Sequence, residues 1–578
     1  MKVLTFPVVL ISLKPLLLML NLVSIQAKVY SAKEALLLFN RDYKFNLNIF
    51  LKLNSKEYEE EYLEMLQITE TPMMAINDLK ADIKAIREFT NGYSLTVVYL
   101  FNSNFKETFE LMDKLLWKLH LSHILIIWNS KADNISSLEA IFQQCWRKGF
   151  INVMLWHKLQ LFTYNPFPHI KTLELQNFSM FADRSYLRNF HHYEWILPFT
   201  EFSPRVFSYT DGWGKLMRSG SFYKIVELFV LHHNGTLNIY DVDMWAVNMT
   251  EMEGMKILMK NGFHFIANIM FGDVFYTASD TLWIIYRNLI VPTAQGIHNS
   301  LYLTKSFNTE VWLIVVFIAL VIFCLIYYSN NRQSNLRQQS SLLKTLAIVI
   351  GLSDSDYRYG SKLFNMLLLI LSLLAAVLLV SFHNCNLSSL LITKLYESEL
   401  TTLEDVSKTN LFIYEYTVDE QYYKNTDLPA IIYRRLMSDN NTYMFYNRKN
   451  LNVHLNIFAA FDDVCNYYLL QQRYLKKPRA KILEEGLYAH TFQITVVHRL
   501  PILDHFNRYL LYIKESGIVN KLILDSHWDG IVSGDIQFFR DEEISPALTL
   551  QHFQFGFIIW LIGLMMGFVC FVLERLRK

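Results

Sequence analysis

The chain has 578 residues, of which 52% are hydrophobic and only 19% are charged, and its mean hydropathy is +0.17. Globular proteins average about 25% charged residues, so this composition excludes a disordered or fibrous chain and favours a large apolar enzyme or a membrane protein with aqueous domains. The 54 basic and 53 acidic residues balance to +1, which does not support a general nucleic-acid binder, and five cysteines are too few for a disulfide-built scaffold.

The first 27 residues form the first predicted element. Two apolar stretches, Val3–Leu13 and Leu16–Ile25, precede the small residue Ala27, as is typical of a secretory signal peptide cleaved near that position. Lys14 interrupts the apolar region, so an uncleaved signal anchor is the less favoured alternative. The sequence therefore predicts export, with Lys28 outside the cell.

Residues 28–190 alternate between short β-rich runs and helical patterns. Three apolar runs are predicted strands: Ser94–Phe101, His123–Trp128 and Ile151–Trp156. The patterns at Phe105–Leu119 and Ile135–Lys148 predict helices between them. Such alternation is typical of α/β layers with a partly parallel sheet. Further along, Phe222–Leu231 fits a short helix or a buried strand equally well, and Pro501–Val519 is predicted to be helical, with an end near Ser516-Gly517.

Three long apolar segments are predicted to cross a membrane: Val311–Tyr328, Leu363–Phe382 and Phe553–Leu573. They have 18, 20 and 21 residues without a charge, and a helix needs about 20 apolar residues to cross roughly 30 Å of hydrocarbon. The run Leu342–Leu352 contains Lys344 and is too short to cross. It predicts a re-entrant segment, with an amphipathic turn on the membrane surface as the alternative.

Orientation follows from the number of crossings and from charge. An exported N-terminus followed by three crossings places the C-terminus in the cytoplasm. The two segments thereby assigned to the cytoplasm, the loop 329–362 and the tail 574–578, carry several Lys and Arg residues, as the positive-inside rule expects. We therefore expect a multi-pass protein of the plasma membrane with two large outer regions, 28–310 and about 393–550.

The predicted outer regions contain five Asn-X-Ser/Thr sequons, which are candidate N-glycosylation sites. They are Asn134, Asn177, Asn234, Asn248 and Asn440. Two cysteines, Cys145 and Cys465, lie clearly in these outer regions. They allow one disulfide at most, and we expect them to remain unpaired.

Motifs for catalysis are missing from the sequence. There is no GxxxxGK[S/T] phosphate loop, no GxSxG elbow and no CxxC pair, and Gly212-Trp-Gly214 lacks the third glycine of a dinucleotide fingerprint. The stretch His191-His192-Tyr193-Glu194 has no second cluster to complete a metal site, so solvated loop histidines are the favoured interpretation. The sequence predicts neither an enzyme nor a bound cofactor or metal.

Several short motifs occur in a fixed order around the apolar segments. They are Tyr164–Phe167 (YNPF), Tyr302–Trp312 before the first segment, Cys385–Leu391 (CNLSSLL) after the second, Leu400–Val406, Lys514–Lys521 (KESGIVNK) and Leu550–Gln554. Together with the order of segments they resemble the ionotropic glutamate receptors and, more closely, the divergent insect chemosensory ionotropic receptors. The resemblance covers roughly residues 190–578 and, more loosely, the N-terminal part.

The resemblance implies a membrane protein whose bilobed extracellular α/β clamshell binds ligand, joined to an α-helical pore domain with three transmembrane helices and a re-entrant pore loop. The implied domains are a signal peptide (1–27), a divergent N-terminal region (28–190), a first lobe (191–308), transmembrane helix 1 (309–329), a cytoplasmic loop (330–341), a re-entrant pore segment (342–353), a pore-lining helix (361–391), a second lobe (393–548), a last transmembrane helix (552–573) and a tail (574–578).

The resemblance also implies a gate and a pore loop. The gate comprises Asn386, Leu387, Ser388, Ser389 and Leu390, and the pore loop comprises Gly351, Leu352, Ser353 and Asp354. Both depart from the family: serines replace the gate alanines, Leu390 replaces phenylalanine, and Leu352 stands where glutamine is usual. Because a leucine side chain offers an ion neither a carbonyl nor a charge, we expect the chain to conduct poorly alone and to work in a hetero-tetramer with a co-receptor subunit.

Glutamate receptors hold the ligand carboxylate with an arginine of the first lobe, because a guanidinium pairs bidentately with a carboxylate. In this sequence no Lys or Arg lies between Lys260 and Arg287, where the family arginine is expected. Arg287 lies late, next to the predicted strand Leu282–Tyr286, and is only a weak candidate for this role. Glutamate and glycine are therefore disfavoured as ligands, and a different small molecule is expected. The function implied is a tuning subunit of a chemosensory cation channel for taste or smell in a sensory neuron. The alternative is a non-conducting binding or assembly partner on the same scaffold.

Overall fold

The structure is a computed structural model of mixed α/β character. It describes residues 30–53, 59–67, 71–77, 93–101, 105–128, 135–176, 178–242, 258, 261–267, 276–298, 301–331, 341–349, 363–392, 396–415, 430–438, 442–453, 456–541 and 554–577. The predicted signal peptide and the pore-loop residues Gly351, Leu352, Ser353 and Asp354 lie outside these described residues.

The N-terminal region is an α/β layer. Its elements are α1 (Ala32–Tyr43), β1 (Leu47–Lys52), α2 (Glu59–Leu66), β2 (Met73–Ile76), β3 (Ser94–Leu100), α3 (Phe105–Leu115), β4 (His123–Trp128), α4 (Ile135–Arg147), β5 (Val153–His157), β6 (Gln160–Asn165) and β7 (Lys171–Glu174). Among the described residues, the strands form one sheet in the order β2-β1-β3-β4-β5-β6-β7, parallel as far as β5 and antiparallel from β5 to β7. The predicted strands, the helices between them and the partly parallel sheet are confirmed.

This sheet is covered on both faces, which explains its continuous apolar strands. Every residue of β3 is buried. On one face Val97 and Leu125 pack with Phe39 of α1, and on the other Val98 and Ile126 pack with residues of α3 and α4. Helix α1 begins with a capping box, in which Ser31 and Glu34 satisfy each other's backbone N–H groups.

The remaining elements follow in chain order. They are α5 (Ser179–Ala182), β8 (Glu194–Phe199), β9 (Phe207–Thr210), β10 (Leu216–Ser219), α6 (Ser221–His232), β11 (Thr236–Asp241), β12 (Phe265–Ile266), β13 (Tyr276–Ala278), β14 (Trp283–Pro292), α7 (Tyr302–Lys305), α8 (Thr309–Asn331), α9 (Ser341–Val349), α10 (Leu363–Ile392), α11 (Leu403–Lys408), β15 (Phe412–Glu415), α12 (Ala430–Arg434), β16 (Leu436–Ser438), α13 (Thr442–Lys449), β17 (Asn456–Phe461), α14 (Asp462–Leu469), β18 (Ala480–Ile482), β19 (Tyr488–Phe492), β20 (Thr495–Val497), α15 (Leu503–Glu515), α16 (Ile518–Val532) and α17 (Gln554–Arg577).

One group of elements, which we call the first unit, combines two distant parts of the chain. It contains β8 to β13 with α6, and the late elements β20, α15 and α16. Strand β20 pairs with both β12 and β13, and the core joins Trp195 and Phe229 to Phe506 and Ile513. The later part of the chain therefore returns to complete a fold that the earlier part begins.

A second group, the second unit, is built on a sheet in the order β16-β15-β17-β14-β18, with α11 to α14 around it. Its core holds Ile290, Phe458, Val464 and Tyr467 on one side of the sheet. Strand β14 joins the two units, because Ile285 near its start lies in the core of the first unit and Ile290 in that of the second.

The structure decides the open question at Phe222–Leu231 in favour of a helix. Phe222, Ile225, Val226 and Phe229 of α6 are buried, and their spacing of three and four residues places them on one helical face. The predicted helix in Pro501–Val519 is confirmed as α15, which ends at Glu515 with Ser516 as its C-cap. Gly517, with φ 75°, is the N-cap of the next helix, α16.

The three long apolar segments are helical, as α8, α10 and α17. Within the described residues, two stretches are long and apolar enough to cross a membrane, Ile370–Leu390 and Gln554–Leu576, whereas the apolar stretch found in α8 is shorter, Thr309–Cys324. Two such helices are compatible with a membrane protein. Crossing of a membrane by any of the three segments remains a prediction. Helix α10 continues past Phe382, where the predicted span ends, to Ile392, so it includes the whole predicted gate.

Candidate functional site

Arg287, the candidate ligand-binding residue, lies on β14 and has an internal partner. Its side chain is 3% exposed, and its Nε donates to Oε2 of Glu415 at 3.0 Å, while Nη2 contacts Oε1 of the same carboxylate. Glu415, at the end of β15, is completely buried. The guanidinium also lies 4.6 Å from the ring centre of Phe461. Arg287 is thus engaged by a carboxylate of the chain itself, and a role in ligand binding remains a prediction.

A second buried ion pair lies where the two units meet. Arg205, on the segment between β8 and β9, donates from Nε to Oδ2 of Asp463 at 2.7 Å and from Nη2 to Oδ1 at 3.0 Å. The side chains of Arg205 and Asp463 are 3% and 11% exposed. The rings of Phe222 and Phe461 lie 5.8 and 5.2 Å from the guanidinium carbon. Sequence reasoning missed this pair because 258 positions separate its members, and no local pattern marks either of them.

The backbone around Arg205 is held firmly to the first unit. Its carbonyl accepts the N–H groups of Phe222 and Tyr223 at the start of α6, at 3.1 and 3.3 Å. Gly220, with φ 123°, approaches so closely that a Cβ there would lie 2.1 Å from this carbonyl oxygen. The Ser526 hydroxyl of α16 donates to the carbonyl of Pro204 at 2.8 Å. The backbone around Arg205 is therefore tied to the first unit by hydrogen bonds from α6 and α16.

The partner of Arg205 stands at the start of α14, where two consecutive carboxylates occupy the first turn. Negative charge is favourable at a helix N-terminus. Asp462 bonds within the sheet, accepting the Tyr286 N–H at 2.9 Å and contacting Nδ2 of Asn288. Burial raises the pKa of Asp462, and the Tyr286 N–H opposes that rise. The neighbouring Asp463 bonds instead to Arg205 of the first unit.

The predicted gate and the motif before the first apolar segment are brought together, 80 positions apart in sequence. Nδ2 of Asn386 donates to the carbonyl of Ser306 at 3.1 Å. Oγ of Ser306 lies 2.8 Å from Nδ1 of His383, one turn earlier on α10. The ring of Phe307 packs against those of His383 and Trp312, at centroid distances of 5.4 and 5.6 Å. The segment after α7 is thus attached to the end of α10 that carries the predicted gate.

The chain segments that link the second unit to the apolar helices run side by side. One leaves β14 at Pro292, and the other returns from α10. Gly296 and Tyr396 form an antiparallel bridge, and the Glu397 N–H donates to the carbonyl of Gln295 at 2.9 Å. The two links are therefore paired before they reach the helices.

Two lysines bind these links to the second unit. Nζ of Lys477 donates to the carbonyl of Ala294 at 2.5 Å and lies 2.9 Å from the ring centre of Tyr396, so it contacts both links. Nζ of Lys481, on β18, lies 2.6 Å from Oε2 of Glu399. A displacement of the second unit would therefore move both links together.

The other predicted sites are only partly within the described residues. Asn134, Asn177, Asn248 and Asn440 lie outside them, whereas Asn234 is exposed in the turn after α6, and its Nδ2 donates to Asn189 at 3.2 Å. Glycosylation at all five remains a prediction. In the described part of the chain, no three His, Cys, Asp or Glu residues are grouped so as to hold a metal ion. Cys145 and Cys465 are buried in separate cores, the N-terminal layer and the second unit.

No protein-family model matches the chain, and no curated protein matches it significantly. The family resemblance noted in the sequence therefore remains a prediction.

Proposed function

We propose that the chain is a subunit of a chemosensory ligand-gated cation channel in the plasma membrane, with its N-terminus outside and its C-terminus in the cytoplasm. The first and second units are the two lobes of a clamshell. Helices α8, α10 and α17 cross the membrane, and residues 342–353 form the re-entrant pore loop. A small molecule closes the lobes, and the closure opens a pore lined by α10 in a hetero-tetramer with a co-receptor.

The observation that carries this proposal is the route between the second unit and the predicted gate. Both links are paired at Gly296 and Tyr396 and are held to the second unit by Lys477. The outgoing link then reaches Ser306, which contacts Asn386 at the gate. Closure of the lobes would displace both links at once and so pull on the outer end of α10. A ligand that binds the closed state more tightly would shift the equilibrium towards it.

The arginines at the meeting point of the units support a ligand other than an amino acid. Arg205 and Arg287 both form two-pronged contacts with carboxylates of the chain, those of Asp463 and Glu415. An incoming carboxylate would have to compete with these buried pairs. This supports a small-molecule ligand that needs no free guanidinium at either position.

The proposal is tested by forcing the gate open without a ligand. Ser389→Phe places a large side chain at the exposed outer end of α10, where we expect the helices of four subunits to cross closely. The variant is co-expressed with a broadly acting co-receptor of the proposed family, and whole-cell current is recorded without a stimulus. We expect a standing cation current that is absent from wild type and from the co-receptor alone.

Ser381→Phe serves as the matched control, because Ser381 is also an exposed serine of α10 and lies outside the predicted gate. It should give no standing current. If Ser389→Phe also gives none, with both subunits at the cell surface, the channel proposal fails and a non-conducting assembly partner becomes the better interpretation.

A further inference from the structure

The Arg205–Asp463 pair joins a segment of the first unit to a helix of the second. The Arg205 backbone is bonded to the start of α6 in the first unit, and Asp463 lies in the first turn of α14 in the second unit. Neither residue sits on a long free loop, so the two hydrogen bonds between their side chains constrain how the units lie relative to each other. The two-pronged geometry of guanidinium and carboxylate adds an orientation requirement to the attraction.

The surroundings of the pair make its loss costly. The guanidinium lies among the rings of Phe202, Phe222, Phe461 and Phe492, with ring centres 5.2 to 6.0 Å away. In such an apolar setting, removal of one charged partner leaves the other buried without compensation. Separation of the units at this point would require water to enter and hydrate both charges. The pair therefore favours the arrangement in which the units are together.

We infer that Arg205 and Asp463 form an internal clasp that favours contact between the two units without a ligand, so that a ligand adds its own contacts to a closure that the clasp already favours. In a clamshell, a ligand stabilises the closed form by contacts made only there. Here a side chain of one unit supplies such a contact to the other. The clasp itself is a property of the folded chain and does not depend on the proposed function. Only the step from closure of the units to opening of a pore rests on the proposed function.

The test measures hydrogen–deuterium exchange by mass spectrometry on the full chain in detergent micelles, so it requires neither a ligand nor a current. The variants are Arg205→Met, Asp463→Leu and their combination. We expect each single variant to speed amide exchange about tenfold in both 202–206 and 461–468, because opening of the clasp exposes both sides. The double variant should be no faster than either single variant, since the same clasp is already lost.

Two results would overturn the inference. One is faster exchange confined to the side that carries the substitution. The other is additive effects in the double variant, which would mean that each residue acts only within its own unit. Arg218→Met is the matched control, because Arg218 pairs with Asp241 inside the first unit and the two are 27% and 71% exposed. It should leave exchange in 461–468 unchanged.

Arg205→Lys covers the case in which the methionine variant does not fold. Lysine keeps the positive charge but loses the two-pronged geometry of the guanidinium. We therefore expect amide exchange to rise on both sides, by less than in Arg205→Met. Exchange rates equal to those of wild type would overturn the clasp. The outcome is separable from the channel proposal. A clasp detected by exchange, with no standing current from Ser389→Phe, would retain the clasp and reject the channel.

Discussion

Ser306 and His383 are in contact, with Oγ and Nδ1 2.8 Å apart, although 77 positions separate them in the sequence. Ser306 belongs to the link that leaves the second unit, and His383 lies one turn before the predicted gate on α10. Asn386 adds a hydrogen bond to the carbonyl of the same serine. These contacts make Ser306 the point where the link from the second unit is attached to the end of α10.

Loss of this attachment should affect the gate. Asn386→Ala removes the donor to the Ser306 carbonyl, so α10 is held less firmly by the link. We expect a spontaneous current in cells that co-express the co-receptor, smaller than that of Ser389→Phe, because His383 still contacts Ser306. Whole-cell recording without a stimulus measures it. A current equal to that of wild type, with normal surface expression, would show that the bond does not bear on the gate.

The role of Lys477 in pairing the links can be measured directly. Lys477→Met removes the bond to Ala294 and the cation from the face of the Tyr396 ring. We expect faster hydrogen–deuterium exchange in 294–298 and 396–399, by about tenfold. Lys476→Met is the matched control, since the Lys476 side chain is exposed and its backbone N–H makes the bond to Asp541. Equal exchange in the two variants would contradict the role assigned to Lys477.

The Arg287–Glu415 pair should be more important for stability than for binding. Glu415→Gln leaves the buried Arg287 without its charged partner, and we expect the second unit to lose about 3–5 kcal/mol of unfolding free energy. The double variant Arg287→Met, Glu415→Leu should recover most of this loss, because no buried charge is then left unpaired. Denaturant unfolding of the full chain in detergent measures both. A double variant as unstable as the single one would contradict this account.

His264 should make the first unit sensitive to acid. Its Nδ1 accepts the Ile196 N–H at 2.9 Å, and burial lowers the pKa of His264 to about 4. In the unfolded chain the His264 imidazole binds a proton near pH 6.5, whereas in the folded chain it stays neutral down to about pH 4. The contribution of neutral His264 to the free energy of unfolding is therefore complete above about pH 6.5 and is lost as the pH falls towards about 4. The loss at the low end is about 3 kcal/mol.

The check is denaturant unfolding between pH 7.5 and 4 for wild type and His264→Gln. The glutamine carbonyl can still accept the Ile196 N–H but does not titrate, so the variant should lose less stability in acid. His191→Gln, at an exposed turn, should behave as wild type. Identical slopes for wild type and His264→Gln would mean that other buried histidines, such as His498 with a pKa lowered to about 4, carry the acid sensitivity.

Asn234 is the one predicted glycosylation site among the described residues, and its exposure supports modification. Asn234→Gln should lower the apparent mass of the cell-surface form by one glycan, as judged by gel mobility before and after enzymatic deglycosylation. Asn189→Gln is the control, because Asn189 bonds to Asn234 but is not in a sequon. An unchanged mobility for Asn234→Gln would show that this site is not used.

The sequence by itself determined the elements whose signal is local. The strands β3, β4 and β5, the helices between them and the apolar helices α8, α10 and α17 all follow from runs and periodicities within a few residues to a few turns. Local pattern was insufficient at Phe222–Leu231, where an apolar run interrupted by Lys224 and Glu227 fits a helix and a strand equally well. Packing against the late helix α15 decided it, because α6 buries one face there.

The tertiary structure alone decided which charged and polar groups meet. Arg205 with Asp463, Arg287 with Glu415, and Ser306 with His383 are 258, 128 and 77 positions apart, and nothing in the residues near each one names its partner. The sequence singled out Arg287 because no other Lys or Arg lies between Lys260 and Arg287. It could not show that the carboxylate partner of Arg287 would be Glu415, which lies on another strand of the same sheet. Hydrophobic periodicity is set by the residues of one helix or strand, whereas a buried charge is paired by whatever the path of the whole chain brings within hydrogen-bond distance.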